Sequence, residues 1–453
     1  MGAALDRASA TRRPLEVTAR PRKSNRHQTR NDPEKTGLGA RQSALRLLSD
    51  VFDHGRMMSE PGGPGPEAAE ARALADAVLR QVPRLDTVIA GFVERMPKSP
   101  VSHILRLMAA DLLIRRTPPH AAVDSAVALV KADRRSGRFA GLVNAVGRRM
   151  SDQGTEIFER TEHSRLWMAD WIKSRLSDDW GGAATDEIAQ ACMSPAPHDV
   201  TMKVPDDAEA FAAEIEGDVL PNGSVRLRTR PQISALPGYA EGAWWVQDAA
   251  ASLPAIMINA EASERVLDVC AAPGGKTLQL AATGATVTAL DISQRRMEQL
   301  RRNLDRTGLN ADLVTADAFA WAPDAPFDAI LIDAPCTATG TLRRHPELPY
   351  RLDPNELDTL CDLQDRLIRS AFAWLKPGGR LVFSTCSLFR REGEDRIEAF
   401  LANEPNAQLD PIDPQDGIPA EFISTEGYLR CRPDMWRDIG SIDGFFAARV
   451  RRG

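Results

Sequence analysis

Hydrophobic positions along the chain follow two rhythms. From Gly39 to Met150 they recur three and four residues apart, as in Leu45, Leu48 and Phe52, then Leu85, Val88, Ile89, Phe92 and Val93, then Phe139, Leu142, Val143 and Val146. This is the period of a helix with one buried face. The breaks fall at the PGGPGP run (Pro61 to Pro66), at Pro97, at Pro100 and at Pro118-Pro119, where proline and glycine end helices. The spacing predicts a bundle of about six helices. From Gly242 onward the rhythm changes to short apolar runs, ERVLDVC, ATVTALD, ADLVTAD, FDAILIDAP and GRLVFSTCS, separated by helical stretches. Continuous apolar strands alternating with helices predict a parallel sheet covered on both faces. Between the two lies Ser151 to Leu236, which mixes a Trp-rich helical stretch, LWMADWIKSRL, with short runs such as VRLRT. The expected organisation is therefore a tail over 1–37, an all-α bundle over 38–152, a small connector over 153–236 and an α/β unit over 237–453.

Composition narrows the class without changing this division. Of 453 residues, 43% are hydrophobic and 26% charged, which excludes wholesale disorder and collagen-like architecture. No run of about 18 apolar residues occurs, and the start lacks the apolar stretch of a secretory signal, so a cytoplasmic protein without a membrane partner is expected. The six cysteines are too widely spaced for a zinc knuckle and too few for a disulfide scaffold; reduced thiols and no metal are expected. The net charge is −6, yet Met1 to Thr36 carries nine Lys/Arg against four Asp/Glu. This tail has too few apolar residues to order itself and reads either as a phosphate-seeking arm or as a solvated start. Arg134, Arg135, Arg138, Arg148 and Arg149 form a second basic cluster, suited to an RNA backbone or to a solvated face.

The chemistry concentrates just after the strands of the α/β unit, where ligands bind in parallel sheets. The first strand runs into Cys270-Ala271-Ala272-Pro273-Gly274-Gly275-Lys276, whose small residues let the backbone approach a ligand where the next helix begins. The string is neither a Walker A loop nor a Gly-x-Gly-x-x-Gly motif. Asp291, about twenty residues on, is placed to accept ribose hydroxyls or to cap the following helix. Asp317 after the third strand is placed to receive an adenine amino group or, again, to cap. An adenosyl ligand accounts for both. Asp333-Ala-Pro-Cys336 ends the fourth strand and Thr385-Cys386-Ser387 the fifth, so two thiols should converge on one cleft.

Two thiols fit one reaction well. Carbon-5 of cytosine is a poor nucleophile, and a thiolate adding at carbon-6 builds electron density there. Methyl transfer from a sulfonium donor then becomes possible, and a second group must remove the carbon-5 proton so that the thiolate can leave. An acidic group near ring N3 would assist, and Asp333 fits.

VLDVCAAPGGKT, DISQRRMEQLRRNL, ILIDAPCTATGTLRRHPE, VFSTCS and DGFFAARV, in that order and spacing, resemble the RsmB/Sun family of RNA cytosine-5 methyltransferases. PPHAAVDSAVALVK and GLVNAVGRR resemble the NusB-like RNA-binding domain of its ribosomal members. The resemblance covers roughly Gly39 to Arg452. It implies an all-α NusB-like bundle followed by a Rossmann-like methyltransferase domain, with S-adenosylmethionine held by Cys270 to Lys276, Asp291, Asp317 and Asp333. It also implies Cys386 as nucleophile, Cys336 as the group that releases the product and small-subunit ribosomal RNA as substrate, with no obligate protein partner. Arg343, Arg344 and His345 are expected to contact the substrate backbone. Around Thr201-Met202-Lys203 the family's usual Arg-x-Asn is missing, and Leu-Pro-Tyr follows Arg344-His345-Pro346-Glu347 where relatives prefer Ile-Lys/Arg-Trp. The WVQDAAAS segment, with Gln247 and Asp248, suits packing as well as function. The alternatives are a non-catalytic RNA-binding assembly factor, another RNA substrate such as tRNA, and a DNA cytosine methyltransferase.

Overall fold

The bundle's helices follow the apolar stripes. In the computed structural model, which describes residues 33–58, 65–161 and 168–453, they are α1 (Pro33–Phe52), α2 (Pro66–Leu79), α3 (Val82–Ala90), α4 (Val101–Leu113), α5 (Pro119–Ala132) and α6 (Ala140–Arg160). The basic tail lies outside the described residues, except that the helical backbone of α1 already starts at Pro33. Prolines open α2, α3 and α5, where a missing N–H costs nothing. The sequence of α4, VSHILRLMAADLL, is apolar on nearly every side, and the helix is buried accordingly. It packs with Leu47, Leu48, Leu74, Leu85, Val143 and Met150 from its neighbours. The last helix continues to Arg160, past residue 152.

The connector begins with α7 (Asp170–Trp180) and α8 (Gly182–Ala191). Their buried side chains Ile172, Leu176 and Ile188 share a core with Leu342, Leu348, Leu388 and Phe389, so these helices rest on the α/β unit. An antiparallel four-stranded sheet follows, in the order β2 (Asp218–Val219), β3 (Val225–Leu227), β1 (His198–Met202), β4 (Trp244–Val246). Its fourth strand lies beyond residue 236, because Trp244 is needed to close the small core formed with Val200, Phe211 and Val225. Phe211 comes from the short α9 (Ala208–Glu214).

The large sheet contains β5 (Arg265–Val269), β6 (Thr286–Asp291), β7 (Asp312–Thr315), β8 (Phe327–Asp333) and β9 (Leu375–Thr385), with β10 (Ala407–Leu409), β11 (Leu429–Cys431) and β12 (Phe445–Arg452). The order β7-β6-β5-β8-β9 is parallel, as expected. Beyond β9 the sheet continues with strands outside those five runs: β12 runs antiparallel to β9, Phe446 pairing with Thr385, and β10 and β11 pair antiparallel with β12. A continuous apolar run such as FFAARV reports burial but carries no strand direction. Alternate residues face opposite layers. Val266, Ala329 and Leu331 meet α10 (Ala249–Ile258) and α11 (Gly275–Ala282), whereas Leu267, Ile330 and Ile332 meet α13 (Glu356–Ala373) and α14 (Glu394–Asn403). An additional helix, α12 (Gln294–Thr307), covers β6 and β7. The strand order reverses between β5 and β8, which opens the crevice beyond their carboxyl ends.

Candidate active site

Both strands at the crevice end in the segments singled out from the sequence. After β5, Cys270 has a φ of 60° and Gly274 one of 108°. A Cβ on Gly274 would lie 2.1 Å from Leu300, so only glycine lets the loop lie down on α12. Burial, and then Asp291 and Asp333 nearby, push the Cys270 thiol up to about 12, which makes it an inert loop residue. Lys276 is 8% exposed, donates to Asp333 Oδ2 at 2.7 Å and lies 4.9 Å from the Phe445 ring centroid. Ala271, Ala272, Pro273 and Gly275 complete the turn.

The acids behave differently from one another. Asp291 is buried; it accepts from Ala272 N at 3.2 Å, Ser293 N at 2.8 Å and the half-exposed Arg296 at 2.9 Å. Ser293 is the helix cap, accepting from Arg296 N, while Asp291 ties the loop after β5 to the end of β6. Asp317 is exposed and accepts from Phe319 N at 2.9 Å. Asp268, inside β5, is a residue the sequence reading passed over, although an acid within an apolar strand is itself a signal. It is fully buried; Oδ2 accepts from Thr277 at 2.6 Å and Oδ1 has no hydrogen-bond partner. Burial above all raises its pKa to about 7, and Asp333 and Asp291 add to the shift. S-adenosylmethionine carries a sulfonium and an ammonium charge. A crevice with an unsatisfied buried carboxylate oxygen, three further acids and one lysine already paired fits that cation.

The thiols converge. Cys336 and Cys386 are half-buried, with their sulfurs 3.5 Å apart. The hydrogen bond with Cys386, then burial, hold the Cys336 thiol well above the ordinary range. The two turns are joined by Gly340 N donating to Cys386 O at 2.8 Å and Ala334 N to Ser384 O at 2.9 Å. Beneath them lies Glu392, wholly buried. It accepts from Thr337 N at 2.9 Å, Thr337 Oγ1 at 2.5 Å, Ser387 Oγ at 2.6 Å and Gln364 Nε2 at 3.1 Å. Thr337 follows Cys336 and Ser387 follows Cys386, so one carboxylate fixes both turns. The sequence offered no sign of it, because RREGED reads as a solvated helix start.

The expected substrate arginines require correction. Arg343 is 3% exposed and donates to Gly440 O at 2.7 Å. Arg344 donates to Asp443 at 2.6 Å, to Pro197 O at 3.2 Å and to Asp248. Burial opposes its charge, but Asp443 and Asp248 outweigh that and hold its pKa above the usual range. Both guanidinium groups are spent inside the molecule. Only His345, 42% exposed with Nδ1 3.5 Å from Glu347, still faces outward. Asp248 also caps α10, Gln247 bonds Trp245 and Gln279, and Lys203 donates to Thr307 O at 2.6 Å; all three act in packing. All six cysteines are free, and no metal-binding cluster occurs among the described residues. Nor, among them, is any helix long and apolar enough to cross a membrane.

A mixed sheet of this order, with a glycine-containing loop after its first parallel strand and acids at the following strand ends, suits an adenosyl ligand at the crevice. Comparison with known proteins gives the family. Residues 255–451 match the model for 16S rRNA methyltransferase RsmB/F, and residues 38–152 match the NusB family. The ribosomal RNA small subunit methyltransferase B of Xanthomonas campestris is 36% identical over 410 residues, covering 84% of this chain and 92% of that one. The chain belongs to the RsmB/F family. The fold is shared with the crystal structure of PH0851, with a TM-score of 0.70 at 22% identity over 92% of this chain and 98% of that one. A methyltransferase homolog from Pyrococcus horikoshii aligns with a TM-score of 0.54 at 28% identity, covering 64% of this chain and 97% of that one.

Proposed function

We propose that this protein methylates carbon-5 of a cytosine in RNA, with small-subunit ribosomal RNA as the substrate, through a covalent cysteine–cytosine adduct. The observation that carries the reading is the pair of sulfurs 3.5 Å apart at the carboxyl ends of neighbouring strands. The relatives named as small-subunit ribosomal RNA methyltransferases support RNA as acceptor. So do Arg134, Arg135, Arg138, Arg148 and Arg149, all exposed on the helical bundle.

S-adenosylmethionine, when bound, supplies an electrophilic methyl group, and the loop from Cys270 to Lys276 with Asp291, Asp317 and Asp333 is assigned to hold it. Cys386 Sγ adds to carbon-6 as a thiolate, and the electron pair of the carbon-5–carbon-6 double bond moves to carbon-5, which would take the methyl carbon as the bond from that carbon to the sulfonium sulfur breaks. The Asp333 carboxyl, in contact with the Lys276 ammonium, would meet the negative charge developing at N3 by donating a proton that Lys276 replaces. Carbon-5 then carries both a hydrogen and a methyl group. Cys336 accepts that proton, the double bond re-forms and the bond from Cys386 to carbon-6 breaks. Cys336 acts in this step as a thiolate, and the hydrogen bond with Cys386 and the burial that hold its pKa well above the ordinary range make that thiolate a strong base. The base is turned out of its stack, at a cost of a few kcal/mol.

Trapping with RNA that carries 5-fluorocytidine tests this. Cys386→Ser should abolish covalent capture, while Cys336→Ser should attack ordinary RNA and accumulate an adduct visible on a denaturing gel. The reverse pattern exchanges the roles of the two thiols, and a wild-type protein that binds RNA but transfers no label from S-adenosylmethionine is an assembly factor.

A further inference from the structure

Between the four-stranded sheet and the loop before β12 lies a cavity of about 790 Å³ whose charged lining is Arg226, Arg228, Arg230, Arg343 and Arg437 against one acid, Asp218. In a chain with a net charge of −6 this is a pronounced local excess. Arg226 lies on β3, and Arg228 and Arg230 on the bend and loop that follow it, and all three line the cavity.

The arginines divide into a frame and a free set. Arg226 is the frame: it grips Asp199 through two bonds of 2.7 and 2.8 Å and donates to Ile439 O and Ser441 O at 2.8 Å. This anchors the loop that carries Arg437 to the opposite wall. Arg343 forms the floor and belongs to the frame: its Nη2 is bonded to Gly440 O and its Nη1 lies 3.8 Å from Asp443 Oδ1. Arg228, Arg230 and Arg437 are exposed. Arg228 pairs with the exposed Asp218, a contact worth little in water, and Arg230 spends one nitrogen on Ala196 O at 2.5 Å. Arg230 sits below its ordinary pKa, first through partial burial, so an anion brought against it would compensate a partly desolvated charge. The floor also leads to the thiols. Arg343 is three residues from Gly340, whose N–H bonds Cys386 O and whose O accepts from Gly444 N.

We propose that this arginine-lined cleft binds consecutive phosphates of the RNA strand next to the target cytosine. The proposal rests on the reading of the protein as an RNA methyltransferase and adds where the backbone is held. Guanidinium groups suit this ligand because they bond phosphate oxygens in pairs. Each phosphate neutralised releases counterions and contributes ~0.7 to 0.9 to the log–log salt slope.

The test uses the full chain and unmodified small-subunit ribosomal RNA made by transcription, with affinity measured from 50 to 200 mM KCl. In the triple variant Arg228→Ala/Arg230→Ala/Arg437→Ala the slope should become shallower by about 2 to 3. The affinity lost over this salt range should shrink by about threefold for each contact removed. S-adenosylmethionine affinity should be unchanged, which also reports an intact fold, and the corresponding triple lysine variant should keep the slope within about one. An unchanged slope in the alanine variant, including the case in which the cleft takes only a free phosphate anion, overturns the proposal; so does an equal loss in the lysine variant. If the wild-type protein transfers no methyl group to the RNA but the slopes still differ as stated, the functional reading fails and the cleft stands.

Discussion

Single residues in this protein carry opposite electrostatic assignments a few positions apart. Lys276 and Asp333 satisfy each other, whereas Asp268 is left with one unpartnered oxygen in the interior. With its pKa raised to about 7 by burial, folded Asp268 holds a proton more tightly than the unfolded chain does, whose carboxyl titrates near 4. Its contribution to stability is therefore complete below about pH 4 and fades as pH rises through about 7. Asp443, pushed to about 6 chiefly by burial, has the same sign, so the two add. In cofactor-free protein the melting temperature should fall between about pH 5 and pH 8, and Asp268→Asn should remove part of that fall. Parallel wild-type and variant curves would show that Asp268 does not titrate there. Sequence alone placed an acid in an apolar strand; its missing partner is a fact of packing.

At the scale of elements, the reactive geometry is made by turns rather than strands. The turn after β8, the turn after β9 and the loop before β12 are stacked so closely that a Cβ on Gly340 would lie 2.0 Å from Gly444 O. Glu392, between β9 and α14, fastens the first two through Thr337 and Ser387, and Gln364 of α13 reaches both Glu392 and Pro335 O. Glu392 is a positioning residue, since it touches neither sulfur. Glu392→Ala should leave buried donors unsatisfied and cost about 3 kcal/mol of stability, measured by denaturant unfolding. At temperatures where the variant is folded, kcat should fall by about 10²-fold, the effect of misplacing a reacting group by about 1 Å. The KM for S-adenosylmethionine should hardly move, and Glu392→Gln should recover part of kcat. A loss confined to KM would assign Glu392 to the cofactor instead.

For the whole molecule, the segment from Gly340 to Arg351 is the point where all parts meet. From the bundle, buried Arg80 donates to Arg343 O at 2.5 Å and to Cys192 O at 2.7 Å, and Tyr350 returns a bond to Leu79 O at 2.7 Å. From the connector, Pro197 O accepts from Arg344, and from the loop before β12 so does Asp443. The helical bundle is thus built into the support of the thiol-bearing loop. Arg80→Ala should destabilise the fold by about 3 kcal/mol, with little dependence on salt because the contacts are buried. It should also lower methyl transfer to RNA while cofactor affinity changes less than twofold, as read by transfer assays and titration calorimetry. Transfer equal to wild type would make the bundle an independent RNA-binding unit.

What the chain determined by itself was local and periodic: the helical stripe over Gly39 to Met150, the alternation of strands and helices after Gly242, and the small-residue turn after β5. The thiols at the ends of β8 and β9 were legible too, because parallel strands present their carboxyl ends together. These follow from spacing, which a linear text records. Tertiary structure alone decided the antiparallel return of β12, the inward turn of Arg343 and Arg344, the clamp at Glu392 and the meeting of Arg437 with Arg228 and Arg230. Each depends on contacts between residues far apart in the chain, and a charge is spent or left free according to the partner that folding brings to it.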